Sequence, residues 1–283
     1  MRIPAFLPSI LCASLTYALD VTIPATPSNP QQVAPYFASL AIEYFGIDNL
    51  FLTAPFLPEP AADQMTTELP KRLNLAVVQL IRNLGMVNNA SVPAIIRVGG
   101  NSANRMYLTS SRLSRQAIQD QPVKEYHFKI LNAVAEVTNC KFILAIGMPT
   151  PEPFYVNEIA TAIKNNMDLK HILAIQVGNE PDHYEKKGTR PPGYSYATYI
   201  KEFDVYSAAI RAVLGNVDLM GPNYAYPWRD LGYQTQFITD RGAVTKYTAF
   251  HRYALRGCSD STSLDALLNG ILFSLALQDS HPL

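Results

Sequence analysis

Three shortages in this sequence each remove a class of function. Only three Cys occur in 283 residues, and no His/Cys spacing resembles a metal site. Charge is balanced, with Lys plus Arg and Asp plus Glu at 23 each, so neither nucleic acid nor an anionic membrane is the expected partner. Beyond the first 18 residues no segment reaches the ~20 consecutive apolar residues that cross a bilayer. Motifs are missing too. No Gly-x-Gly-x-x-Gly follows an apolar run, so dinucleotide chemistry and a bound cofactor are not expected. Ser102 and Ser195 lack the sharp Gly-x-Ser-x-Gly turn of an esterase. There is no internal repeat or low-complexity tract.

What is present suits an exported protein. Arg2, the mostly apolar stretch from Ile3 to Leu15, and Thr16-Tyr17-Ala18 read as a signal peptide over 1–18, with the mature chain starting near Leu19. A single glycosylation sequon, Asn89-Ala90-Ser91, agrees with export. Cys12 leaves with the signal. A Cys140–Cys258 disulfide is conceivable in an oxidising compartment, but Cys140 precedes one predicted strand and Cys258 follows another, which argues against it. With 48% hydrophobic residues the chain can bury a full core, as one large domain or two smaller ones. Proline (21), tyrosine (16) and phenylalanine (12) suggest proline-pinned loops and rings available for sugar binding, most of them nevertheless core.

After an extended segment over residues 20–35, helical and strand patterns alternate. A helix is predicted at about 67–84, with Leu73, Ala76, Val77, Leu80, Ile81 and Leu84 on one face and Gly85 ending it. Others are predicted around His127 to Val137 (Phe128, Leu131, Val134 and Ala135 inward), through Val156, Ile159, Ala160 and Ile163, and from an N-cap at Ser195 to Gly215. Between them lie short continuous apolar runs: Leu40 to Ile42, Ala94 to Ile96, Phe142 to Ile146, Ile172 to Val177, Val217 to Met220, and Tyr247 to His251. Strands buried on both faces read this way, and alternation with helices predicts a parallel sheet of α/β class.

In a parallel barrel the chemistry gathers where strands end. The fourth run ends in Gly178-Asn179-Glu180-Pro181, which puts a carboxylate there, preceded by an amide that can hold a sugar hydroxyl. The other ends supply Glu43-Tyr44, Arg97 with Gly99-Gly100-Asn101-Ser102, Gly147-Met148, Asn223-Tyr224-Ala225-Tyr226 with Trp228, and His251-Arg252-Tyr253. Arg97 at a strand end needs a partner, either a catalytic carboxylate or a structural ion pair. His251 suits a hydrogen bond to a sugar or a carboxylate, or a plain place on the rim. Tyr224, Tyr226 and Trp228 suit stacking on a sugar ring or an ordinary aromatic cluster.

Ile96-Arg97-Val98-Gly99-Gly100-Asn101-Ser102 together with Gly178-Asn179-Glu180-Pro181-Asp182 resembles glycoside hydrolase family 79, the β-glucuronidases and heparanases. The resemblance runs from about Phe37 to Asn269 and takes in Ser39 to Tyr44 and Phe250-His251-Arg252-Tyr253. It implies a (β/α)8 TIM-type barrel and a retaining mechanism that uses two carboxylates and no metal or cofactor. It implies Glu180 as acid/base and Asn179 binding the hydroxyl beside the anomeric carbon. Arg97 would help fix the charge of the nucleophile, and Glu43, Asn101, Tyr224 and His251 would line the sugar site. The implied substrate is a glycan carrying terminal β-linked glucuronic acid or its 4-O-methyl form.

The sequence departs from the family in one respect. The second carboxylate of a retaining enzyme stands about 5 Å from the first. On family spacing it is expected near positions 270–300, yet the last Glu is Glu202 and the later acids are Asp260, Asp265 and Asp279. Residues 19–283 are therefore expected to form an incomplete barrel of about six of eight units, with Leu264 to Asn269 as the sixth helix. Made alone, such a chain is expected to turn over glucuronides poorly and to fold poorly. The alternatives are a glycan-binding relative or truncated gene product without activity, and an enzyme of the same clan acting on neutral sugars.

Overall fold

The apolar runs become strands in the computed structural model of the chain, which describes residues 39–56, 62–87, 92–108, 121–225, 228 and 231–251. Among the described residues the strands are β1 (Ser39–Glu43), β2 (Ile95–Gly99), the short β3 (Met106–Leu108) and β4 (Gln121–Val123), β5 (Lys141–Ile146), β6 (Ile172–Val177), β7 (Leu219–Tyr224) and β8 (Tyr247–Phe250). The helices are α1 (Ile47–Phe51), α2 (Ala62–Arg72), α3 (Leu75–Val87), α4 (Glu125–Thr138), α5 (Val156–Asn166), α6 (Tyr196–Leu214) and α7 (Tyr233–Arg241). A six-stranded sheet runs in the order β1-β2-β5-β6-β7-β8, every pair parallel, while β3 and β4 pair with each other.

Burial follows from that order. β7 is buried at all six positions and β6 at its last four, as strands covered on both faces should be. β1 and β8, at the two ends of the described sheet, are partly exposed along their length. The sheet is also curled. Six flat strands spaced ~4.8 Å apart would hold the outer pair ~24 Å from each other. Instead Ala41 to Glu43 of β1 and His251 after β8 border a single cavity. The result is a half-barrel whose strands all point their carboxyl ends at one rim.

Three of the expected helices form as read. α4 buries Phe128, Leu131, Val134 and Ala135, and α5 buries Val156, Ile159, Ala160 and Ile163. The Ser195 hydroxyl caps α6 by accepting the Thr198 N–H, and Gly215 ends it at φ +75°. The helix expected at 67–84 is instead two helices. Leu73 bridges to Leu52, and Asn74 donates its N–H to the Phe51 carbonyl at 2.8 Å. The Asn74 side chain then accepts the Ala76 and Val77 N–H groups and starts α3 as a cap. The break rotates the buried face, so Val78 and Ile81 point inward while Leu80 is 46% exposed. Gly85 lies within α3 rather than ending it. The fifth expected strand also shifts, starting at Leu219 rather than Val217 and running on to Tyr224.

Cys140 is a buried free thiol at the start of β5, and burial pushes its pKa up to about 11. Several expectations lie outside the described residues: the signal over 1–18, the segment over 20–35, the sequon at Asn89, Tyr226, Arg252, Tyr253 and Cys258. The helix at Leu264 to Asn269, the late aspartates and the units expected to close the barrel also lie outside them.

Candidate active site

The chain leaves β6 through a bend that only certain backbones tolerate. Gly178 sits at φ +74°, and its N–H reaches the Ile146 carbonyl at 2.8 Å, prolonging the pairing with β5. A Cβ at this position would lie 2.9 Å from both Met148 Sδ and the Tyr184 hydroxyl. Two residues later Glu180 is also left-handed, at φ 52° and ψ 58°, a conformation that costs a non-glycine residue about 1–3 kcal/mol. Its N–H donates to the carbonyl of Asn223 at 3.1 Å, and Asn223, one residue before the end of β7, is itself left-handed at φ 57°. Two neighbouring strand ends are thus bent and tied together at the acidic residue. Pro181 then opens a short 3-10 turn over Pro181–His183.

Three nitrogens face the Glu180 carboxylate. His251 Nδ1 lies 2.9 Å from Oε1, Lys187 Nζ 2.9 Å from Oε2, and His183 Nδ1 3.6 Å from Oε2. Burial alone would raise the carboxyl pKa. The hydrogen bonds and charge of His251 and Lys187 outweigh it and hold the group down to about 2. Lys187 also donates to Asn101 Oδ1 at 2.6 Å, so one ammonium joins the ends of β2 and β6.

The residue before the acid is fixed from the other side. Arg97 Nη2 donates to Asn179 Oδ1 at 2.8 Å, and Arg97 Nε donates to Gln176 Oε1 at 2.6 Å. With its amide oxygen taken by the guanidinium, Asn179 offers a ligand its two N–H donors. Its carbonyl accepts the Asn104 side chain at 2.7 Å, and Asn104 Oδ1 in turn accepts the Met148 N–H at 3.1 Å. On β1, Glu43 accepts the N–H groups of Asn101 (3.0 Å) and Ser102 (2.8 Å) and contacts the Ser102 hydroxyl. Gly100, at φ +77°, lets the backbone bend around this carboxylate, which an added Cβ would strike.

A cavity of about 200 Å³ opens between these strand ends, lined by Ala41, Ile42, Glu43, Arg97, Gly100, Asn101, Asn179, Glu180 and His251. It brings together six of the residues singled out in the sequence. Tyr224 takes a different place. It is fully buried, with its ring packed against Tyr199 and Trp228 at centroid distances of 6.0 and 5.6 Å. What it gives the site is backbone, since its carbonyl accepts the His251 N–H at 2.8 Å.

No protein-family model and no curated protein matches the sequence. Solved structures do. A 4-O-α-L-rhamnosyl-β-D-glucuronidase from Fusarium oxysporum, in complex with Rha-GlcA, superposes with TM-score 0.57 at 14% identity, over 89% of this chain and 53% of that one. A monomeric β-xylosidase from Caulobacter crescentus gives TM-score 0.45 at 14% identity, over 87% and 50%. The likeness to the glucuronidase is one of fold. The chain spans about half the length of these two proteins.

Sequence reasoning missed several residues at the rim. Gln176 was the most legible, as the polar residue inside the apolar run Ile172 to Val177. Lys187 and His183 carry no periodic signal, and only the turn after Pro181 brings them back to Glu180. Arg190 is a further case. It forms a buried bidentate pair with Glu202 (2.7–3.0 Å), donates to the carbonyls of Met148, Pro149, Thr150 and Thr189, and lies over the Tyr184 and Tyr194 rings. It fastens the loop after β5 and the segment after Glu180 onto α6. Among the described residues no cluster of His, Cys, Asp or Glu is arranged to hold a metal, and no helix is long and apolar enough to cross a membrane.

Proposed function

We propose that this chain belongs to a secreted retaining glycoside hydrolase that removes β-linked glucuronic acid, or its 4-O-methyl form, from glycans, with Glu180 as its acid/base. One observation carries the reading. Glu180, 8% exposed and held in a strained backbone, stands at the end of a barrel-type strand in a cavity walled by amide, carboxylate, guanidinium and imidazole groups from four strand ends. A sugar ring needs such a surround, with N–H donors from Asn179 and an acceptor from Glu43 for its hydroxyls. A fold shared with a glucuronidase supports the same direction.

In a retaining reaction the group in the role of Glu180 protonates the leaving oxygen and then, as a carboxylate, draws the proton from the incoming water. The pKa held down by His251 and Lys187 favours the carboxylate, the form the second step uses. The partner nucleophile is expected beyond the described residues. Within the cavity, the other described carboxylate is Glu43, which two backbone N–H groups and a hydroxyl fix in place as a positioning acceptor.

The test is Glu180→Gln in the active protein. Hydrolysis of glycosides with poor leaving groups should fall by about 10²–10⁴. An aryl glucuronide with an activated leaving group should still form the intermediate, and azide should restore its breakdown. Unchanged turnover of a natural glycan removes Glu180 from the role.

A further inference from the structure

An acid that must deliver a proton is held here almost wholly ionised, and the group most responsible besides His251 is Lys187. Its position is specific. The ammonium touches two cavity-lining residues at once, Glu180 Oε2 at 2.9 Å and Asn101 Oδ1 at 2.6 Å. Its backbone is fixed, since the Lys187 N–H donates to the His183 carbonyl, Gly188 to Glu185 and Thr189 to Tyr184. Its side chain is 32% exposed, so the four-carbon stem is not packed on every side. An ammonium has three N–H donors, and two are engaged by these contacts, which leaves one for a ligand.

The other charged groups around Glu180 are not placed to do the same. Arg97 is committed to the amides of Gln176 and Asn179. The Glu43 charge is met by backbone N–H groups, and Asp182 turns away to accept the Ala225 N–H at 3.0 and 3.1 Å. His183 stands off at 3.6 Å, and His251 is anchored through its backbone to the end of β7. Lys187 stands just behind the cavity lining, in contact with Glu180 and Asn101 and with its stem part-exposed.

We propose that Lys187 reads the acidic group of the substrate: its ammonium rests on Glu180 and Asn101 and shifts onto the carboxylate of a bound uronic acid. This rests on the reading of Glu180 as the acid/base. The exchange replaces one carboxylate partner of Lys187 by another, and it leaves Glu180 with one fewer positive neighbour and a new negative one. Both changes favour the protonated form, with the proton taken from solvent. A neutral sugar has nothing to draw the ammonium away and leaves Glu180 charged. Selectivity for uronic acids and arming of the acid then come from the same side chain, and an unproductive sugar fails at protonation even when it binds.

The experiment is a carbon-13 titration of the labelled Glu180 carboxyl in the full chain, alone and with methyl β-D-glucuronide or methyl β-D-glucoside. It is repeated in Lys187→Met and Lys187→Arg. The wild type alone should titrate near 2. The glucuronide should move the wild-type titration up past the ordinary glutamate value of about 4.3, because burial, the lost cation and the new anion all act in that direction. The glucoside should not. Lys187→Met should sit high with or without ligand and bind the glucuronide at least tenfold more weakly, and Lys187→Arg should restore the low value. An unmoved titration in a folded Lys187→Met, or glucuronide binding to the wild type with no upward movement, overturns the proposal and leaves the glucuronidase reading standing. Failure of the glucuronide to perturb Glu180 or His251 at any concentration sinks that reading itself, and the proposal with it.

Discussion

Replacing Arg190 by Met removes the fastening behind the site while keeping most of the apolar bulk. Its guanidinium is buried, and the Glu202 carboxylate it neutralises would be stranded with the Tyr194 hydroxyl, 2.9 Å away, as its remaining described donor. Breaking a buried pair from one side costs about 3–5 kcal/mol. The carbonyls of Met148, Pro149, Thr150 and Thr189 lose donors as well, and those that water cannot reach add about 1 kcal/mol or more. A total of about 4–6 kcal/mol follows, which urea unfolding would read directly as a lower midpoint. The double variant Arg190→Met/Glu202→Gln is the sharper assay. It removes the stranded charge but not the unsatisfied carbonyls, so it should recover at least half of the loss, about 2–3 kcal/mol. A single variant that loses less than about 1 kcal/mol, or a double variant no better than the single, would refute the view of this pair as a buried clamp.

Three further outcomes are expected. Because the Glu180 pKa is depressed in the folded state, its contribution to stability is fully present above the unfolded value of about 4.3 and is lost as pH falls towards 2. The stability gap between wild type and Glu180→Gln should therefore narrow between pH 5 and pH 2, and a gap independent of pH would contradict the pairing. Gly178→Ala should cost about 1–3 kcal/mol in chemical denaturation through its positive φ and its collision with Met148 and Tyr184, and a neutral effect would show that the bend adapts. Export is our proposal from the first 18 residues: secreted material should begin at Leu19 or within a few residues, and intact Met1 in a cytosolic fraction would defeat it.

The strands were legible because burial on both faces leaves continuous apolar runs, and each strand end then had to present its next residues at one rim. That logic alone brought Glu43, Arg97, Asn101, Asn179, Glu180 and His251 to one cavity from positions spread over some two hundred residues. It misled where local capping outranked periodicity. The pattern over 67–84 is amphipathic throughout, yet the amide of Asn74 caps a new helix and turns the apolar stripe. Tyr224 was misplaced for a related reason, since a residue ending a strand can face the cavity or the helix layer, and here the aromatic packing around Tyr199 and Trp228 takes the ring. Lys187 and Arg190 were not legible at all. Each acts across a long loop, and no spacing in the sequence announces a partner reached through a turn.

The most direct measurement is a structure of the chain with a non-hydrolysable aryl β-thioglucuronide bound. The account predicts the sugar in the cavity between β1, β2, β6 and β8, a Glu180 oxygen within about 3.2 Å of the bridging sulfur plus the longer reach sulfur allows. It also predicts an N–H of Asn179 on the adjacent hydroxyl and Lys187 turned onto the uronate. A ligand bound with its bridging atom out of reach of Glu180, or seated elsewhere on the chain, would contradict it.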